Sequence, residues 1–174
     1  TSSEKLFRSY SLCLPSSNES KDNLQSLGAT NIKYFGNLKF CSRVETRKDV
    51  NIFHSKFENK KVWCAVSTHP GEEELIFKSH LKIKERGINV KTIIIPRHIN
   101  RSQKIYNIAN DFKLKSQIIN NFDEISKDPE ILIINSIGDI SKYFNNCKSI
   151  FMGKSLSKKL IKVGGQNPIE PAKC

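Results

Sequence analysis

Near the C-terminal end of the sequence, Gly164-Gly165-Gln166-Asn167-Pro168-Ile169-Glu170-Pro171 has residue types and spacing suited to holding an anion. A glycine pair followed by Asn, Pro and a Glu three residues after the Asn predicts a tight loop that opens a helix. Asn167 is then the N-cap, Pro168 the first helical residue and Glu170 the third. Free backbone N–H groups and a carboxylate at such a corner suit a phosphorylated or ribose-bearing ligand. Four more sets punctuate the sequence: Ser67-Thr68-His69-Pro70-Gly71-Glu72-Glu73, Pro96-Arg97-His98, Asn135-Ser136-Ile137-Gly138-Asp139 and Gly153-Lys154-Ser155. Arg97 can offer a bidentate fork to a phosphoryl oxygen. A helix starting at Gly71 would add oriented N–H donors.

Taken singly, each set has an ordinary reading. Ser67 or Thr68 would cap a helix, and Glu72 and Glu73 would be surface residues complementing its dipole. His69 or His98 would be a polar loop residue, and Asp139 a charge at a helix start. His54 and His80 are expected at the surface. No Walker loop and no G-x-G-x-x-G occurs, no acidic cluster requires a metal, and no cofactor is expected.

The elements that must position these residues follow from periodicity. Apolar runs at 62–67, 90–95, 131–134 and 149–152 have strand length, and the second is stopped by Pro96. Helices are expected over 72–86, ending at Gly87, over 101–112, and in short form over 140–146. Strand and helix in alternation imply parallel β-α-β units in a doubly wound sheet. All five sets then fall beyond strand ends on the edge where such sheets bind ligands, and that joint placement favours a site. Upstream, 11–15 and 32–35 read as short strands flanking a helix over 17–27. The polar stretch 41–60 reads as a linker, with a domain boundary at about 37–45.

The 174 residues, 37% hydrophobic and 26% charged, suit a soluble globular chain of one domain, or one domain plus part of another. No apolar run approaches the ~20 residues of a membrane span, and no signal peptide is visible. The net charge of +12 is spread along the chain, with 11 Lys/Arg against 6 Asp/Glu in residues 1–66. Such a diffuse charge suits anionic lipid or a phosphorylated substrate better than nucleic acid. The five cysteines lack metal or disulfide spacing, favouring reduced thiols.

Together, Gly36-Asn37-Leu38-Lys39-Phe40, Ser67-Thr68-His69-Pro70-Gly71-Glu72-Glu73, Pro96-Arg97-His98, Ile137-Gly138-Asp139 and Gly165-Gln166-Asn167-Pro168-Ile169-Glu170-Pro171 resemble the motif set of bacterial 3-deoxy-D-manno-octulosonic acid (Kdo) transferases. The resemblance implies a Rossmann-like parallel sheet, the C-terminal donor half of a GT-B glycosyltransferase, incomplete at its C-terminus. Residues 1–40 would end the acceptor-side domain, 41–60 would link the domains, and 61–174 would form the truncated donor domain. The implied reaction moves Kdo from CMP-Kdo to a lipid A precursor at the cytoplasmic face of the bacterial inner membrane. CMP would be held by Pro96 and Arg97, by Ile137, Gly138 and Asp139, and by Asn167, Pro168, Ile169 and Glu170. Lys39 would stabilise charge on the leaving phosphate. Ser67, Thr68, His69, Gly71, Glu72, His98 and Ser155 are further candidates.

The family pattern has Asp at Cys41 and Asn135, Glu at Asp139, Gly at Lys154 and His at Gln166. Its general base would lie upstream of Thr1, and a segment after Pro171 would complete the donor domain. The 174 residues alone are therefore expected to bind a nucleotide at best. A non-catalytic nucleotide-binding or anionic-lipid-surface module is the alternative reading, and a nucleic-acid-binding domain ranks last.

Overall fold

The computed structural model describes residues 2–41, 57, 59–126, 128–138, 140–145, 147–156 and 166–173. The chain divides into two compact units, Thr1–Arg43 and Val44–Cys174. The expected boundary at about 37–45 brackets Arg43, and most of the expected linker lies outside the described residues.

The first unit holds helices α1 (Ser2–Arg8) and α2 (Asn18–Ser26) and a 3₁₀ turn at Leu38–Cys41. The Ser17 hydroxyl caps α2 by accepting the Ser20 N–H at 3.0 Å. The chain turns out of that helix at Gly28, whose φ of +96° lies in the left-handed region. The strands expected at 11–15 and 32–35 shrink to one parallel bridge, Cys13 to Ile32. Leu12 and Leu14 remain exposed beside buried Cys13. Among the described residues of this unit no third strand joins the two short segments, so no ladder propagates. The helix at α1 was not foreseen.

The second unit is a five-stranded, all-parallel sheet of β1 (Lys61–Thr68), β2 (Val90–Pro96), β3 (Ser116–Ile119), β4 (Ile131–Ile134) and β5 (Ser149–Met152), in the order β3-β4-β2-β1-β5. Four strands lie where the apolar runs placed them. β3 escaped notice because Ser-Gln-Ile-Ile is short and only Ile119 is buried. Helices α3 (Glu72–Glu85) and α4 (Ser102–Asp111) pack on one face against Ala65, Ile94, Ile131 and Ile133. Helix α5 (Ser141–Phe144) covers the other, where Cys64, Val66, Ile93, Leu132 and Ile134 meet Tyr143 and Phe144. Alternate strand residues therefore serve opposite cores, the pattern of a sheet buried on both faces. A last short helix, α6 (Ile169–Ala172), lies against α5.

After β4 the chain crosses from one side of β1 to the other and lays down β5. The loops after β1 and β5 therefore border the reversal point of strand order, where doubly wound sheets form their ligand crevice. The described cysteines are free thiols, and burial beside Cys147 pushes the Cys64 thiol well above its ordinary value.

His80 corrects an expectation. It is fully buried on α3, and its Nδ1 meets the Thr92 hydroxyl of β2 at 2.8 Å. Burial lowers its pKa to about 4, opposed by Glu130 and reinforced by Lys84 and Lys91. The unfolded chain thus takes up this proton near pH 6.5 and the folded chain only near 4. Stability is fully present above about pH 6.5 and falls through that window by about 3 kcal/mol. His80→Asn, whose amide can replace Nδ1, is expected to flatten the dependence while lowering stability at pH 7. Urea unfolding at pH 7 and pH 4.5 measures this, and an unchanged difference between the two pH values would remove His80 as the cause.

Candidate functional site

Parallel strands place the loops after β1, β2, β4 and β5 on one edge of the sheet. At the end of β1 the register slips at Ser67, which stands at φ +54° between paired Val66 and Thr68. Gly153, just beyond β5, donates its N–H to the Val66 carbonyl at 2.8 Å. A Cβ on Gly153 would lie 2.1 Å from the Ser67 carbonyl oxygen, so only glycine fits this crossing. Glu72 then ties the two loops together. Its Oε2 accepts the N–H of His69 at 2.8 Å and of Lys154 at 2.9 Å, and its Oε1 accepts that of Leu156 at 3.3 Å.

The neighbouring carboxylate faces the β2 side. Glu73 Oε1 accepts the Thr68 hydroxyl at 2.8 Å and pairs with Arg101 Nη1 at 2.8 Å. Arg101 also donates to the Thr68 carbonyl at 3.1 Å, and the same oxygen accepts the Arg97 N–H at 3.2 Å. Glu72 and Glu73 are thus buried parts of the frame, and only Glu74 of the acidic first turn is exposed. The cap expected from Ser67 or Thr68 is absent: Gly71 is the N-cap at φ +93°, without a side-chain bond, and the Thr68 hydroxyl is committed to Glu73.

Beyond this frame Arg97 and His98 are exposed, while Pro96 is buried as the last residue of β2. The imidazole Nε2 of His69 is buried and lacks a hydrogen-bond partner among the described residues. Ser155 bonds back to the Met152 carbonyl at 2.6 Å. After β4, Ile137 is 87% exposed, an unusual position for its side chain in water, and Gly138 follows at φ +137°. At the final corner the Asn167 side chain accepts the Ile169 N–H at 2.9 Å, which is the expected cap. Asp139, Gly164 and Gly165 lie outside the described residues, and of Glu170 only the helical backbone is described. Lys39 sits exposed in the 3₁₀ turn of the first unit, its N–H bonded to Asn37 Oδ1 at 3.0 Å.

Chemically, this edge favours an anion. Glu72 and Glu73 are buried and bonded to internal donors, so they turn no carboxylate outward, and of the residues just beyond β2 the exposed ones are Arg97 and His98. Among the described residues no cluster of His, Cys, Asp or Glu could hold a metal ion.

No family model matches the chain. Among curated proteins, it is 31% identical over 160 residues to a bifunctional glycosyltransferase/methyltransferase of Fusobacterium nucleatum, covering 87% of this chain and 24% of that protein. It is 31% identical to the 3-deoxy-D-manno-octulosonic acid transferase of Haemophilus influenzae, over 66% of this chain and 26% of that enzyme. The enzyme of the same name from Rickettsia bellii is 26% identical over 96% of this chain and 39% of its own length. This chain is related to the Kdo transferases. It spans about a quarter to two fifths of the length of these relatives. Among solved structures, the C-terminal CMP-Kdo binding domain of WaaA from Acinetobacter baumannii superimposes with a TM-score of 0.62, covering 71% of this chain and 64% of that one. At 24% identity that likeness is one of fold, and it makes the sheet Rossmann-like.

Two departures from the Kdo transferase pattern have a physical form here. Lys154 occupies φ +70°, a conformation comfortable for glycine and strained for lysine. Asn135 uses its side-chain NH₂ to donate to Asn120 Oδ1 at 3.3 Å, a bond an aspartate could not donate. Cys41 is exposed in the 3₁₀ turn and Gln166 is half-buried. Two residues of the site were passed over in the sequence. Arg101 was read as an ordinary start of a helix, and Gly153 as one member of a loop motif. Their signals, an arginine four residues after Arg97 and a glycine directly after a short apolar run, are too common to single out.

Proposed function

We propose that this chain provides the CMP-Kdo-binding part of a Kdo transferase, which moves Kdo from CMP-Kdo to a lipid A precursor at the cytoplasmic face of the bacterial inner membrane. In this reading Arg97, beside Pro96, faces the phosphate of CMP. Ile137, Gly138 and Asp139 line one side of the nucleotide, and Asn167, Pro168, Ile169 and Glu170 another. Lys39 stabilises the charge left on the phosphate as CMP departs. No metal and no cofactor takes part. The diffuse positive charge holds the protein to anionic lipid.

One observation carries the reading: the exposed Arg97 stands directly after β2, on the edge where parallel sheets bind ligands, next to a β1 loop whose carboxylates Glu72 and Glu73 are buried. Kinship with Kdo transferases supports the choice of nucleotide, as does the fold shared with a domain described as CMP-Kdo binding.

Titrating CMP into the full-length protein tests it. Saturable binding is expected, and Arg97→Gln should weaken it about 10- to 100-fold, the loss of a charge-assisted fork. A folded protein that takes up no CMP would refute the reading. Assaying Kdo transfer to a lipid A precursor separates an enzyme from a nucleotide-binding module without catalysis.

A further inference from the structure

We propose that Arg101 and Glu73 are positioning residues that fix the loop carrying Arg97, an inference that rests on the donor-binding reading above. Four bonds close on one point at the end of β1. The Thr68 carbonyl accepts both the Arg97 N–H at 3.2 Å and Arg101 Nη1 at 3.1 Å. The same guanidinium nitrogen reaches Glu73 Oε1 at 2.8 Å, and that oxygen also takes the Thr68 hydroxyl at 2.8 Å. Thr68 and Glu73 are fully buried, and the Arg101 side chain is 14% exposed.

A buried ion pair is weak evidence for stability, because desolvating two charges offsets most of their attraction. Here the cost is greater still, since Glu73 Oε2 is buried with no hydrogen-bond partner among the described residues. What the pair does supply is direction. Arg101 clamps the Thr68 carbonyl, and that carbonyl is the acceptor that anchors the Arg97 backbone. Arg97 is itself exposed, and among the described residues no side-chain bond orients it. Its approach to a phosphate is therefore set by its backbone. Substrate-positioning groups of this kind act by holding a charged side chain near its productive geometry.

The test compares Arg101→Gln, Arg101→Lys and Glu73→Gln in the full-length protein, titrated with CMP and with cytidine, which lacks the phosphate. Arg101→Gln is expected to weaken CMP about tenfold and to leave cytidine binding within about twofold, while Arg101→Lys, which keeps a cationic donor, recovers most of the loss. Combining Arg101→Gln with Arg97→Gln should weaken CMP no further than Arg97→Gln alone, since one residue acts through the other. Hydrogen–deuterium exchange of the peptide spanning 96–101 should quicken in Arg101→Gln without ligand. If Arg101→Gln fails to fold, Glu73→Gln carries the same expectations, keeping the shape of the side chain and removing its charge. CMP affinity equal to the wild type overturns the proposal and leaves the donor reading standing. So does an equal loss for cytidine, or full additivity with Arg97→Gln. A wild-type protein that binds no CMP defeats the donor reading, and this proposal falls with it.

Discussion

Gly153→Ala is expected to destabilise the second unit by about 3 kcal/mol or more, at the upper end of what overpacking one methyl group costs. The added carbon would sit 2.1 Å from the Ser67 carbonyl oxygen, 2.6 Å from its carbon and 2.8 Å from the Thr68 Cα. All three are backbone atoms of a buried strand end, so no side chain can swing away to make room. Relief would need β5 to lift off β1, breaking the 2.8 Å bond from Gly153 to Val66 and loosening the loops that Glu72 ties together. Gly87→Ala provides the control. Its φ is +77°, but open space surrounds the new Cβ, so only the conformational cost of about 1 kcal/mol applies. Urea unfolding of both variants measures the contrast. Equal losses in the two would remove steric crowding at Gly153 as the cause.

The contrast between those glycines marks how far the sequence could be read. Strands β2 and β4 declare themselves by runs such as Val90–Ile95, because strands buried on both faces take apolar residues nearly throughout, and the apolar runs of β1 and of the less buried β5 were legible beside them. The Asn167 cap was legible for a similar reason: a side chain bonding a backbone N–H two residues away is a local event. β3 was hidden because Ser116-Gln117-Ile118-Ile119 holds only two apolar residues in a row, too short a run to read as a strand. The fates of Glu72, Glu73 and His80 were hidden more deeply. In sequence they are two acids of a helix's first turn and one histidine, read as surface residues, with Glu72 also a candidate for the ligand. Their partners lie in other elements: Lys154 and Leu156 for Glu72, Arg101 for Glu73, Thr92 for His80. Only the topology brings these together. Local pattern located the loops of the site, but not which of their residues face outward.

That distinction gives Glu72 its test. It was one of the candidate ligand-binding residues, and as a ligand contact it would be dispensable for folding. The structure puts it 1% exposed, with both oxygens turned to backbone donors of the β1 and β5 loops. Glu72→Ala would leave the N–H groups of His69, Lys154 and Leu156 without their acceptor. Each such loss in a part-buried setting costs about 1–3 kcal/mol, less where water can reach the group, so a total of about 3–5 kcal/mol is expected. Glu72→Gln keeps one acceptor oxygen but turns an NH₂ group toward a backbone N–H, for about half that loss. Exchange of the peptide spanning 153–156 should quicken in both variants without ligand, because the clamp exists before anything binds. CMP affinity should fall with the loosening of this loop, in proportion to the destabilisation. The opposite ordering, with CMP binding lost and unfolding midpoints unchanged, would return Glu72 to the ligand and leave the β5 loop held by Gly153 alone.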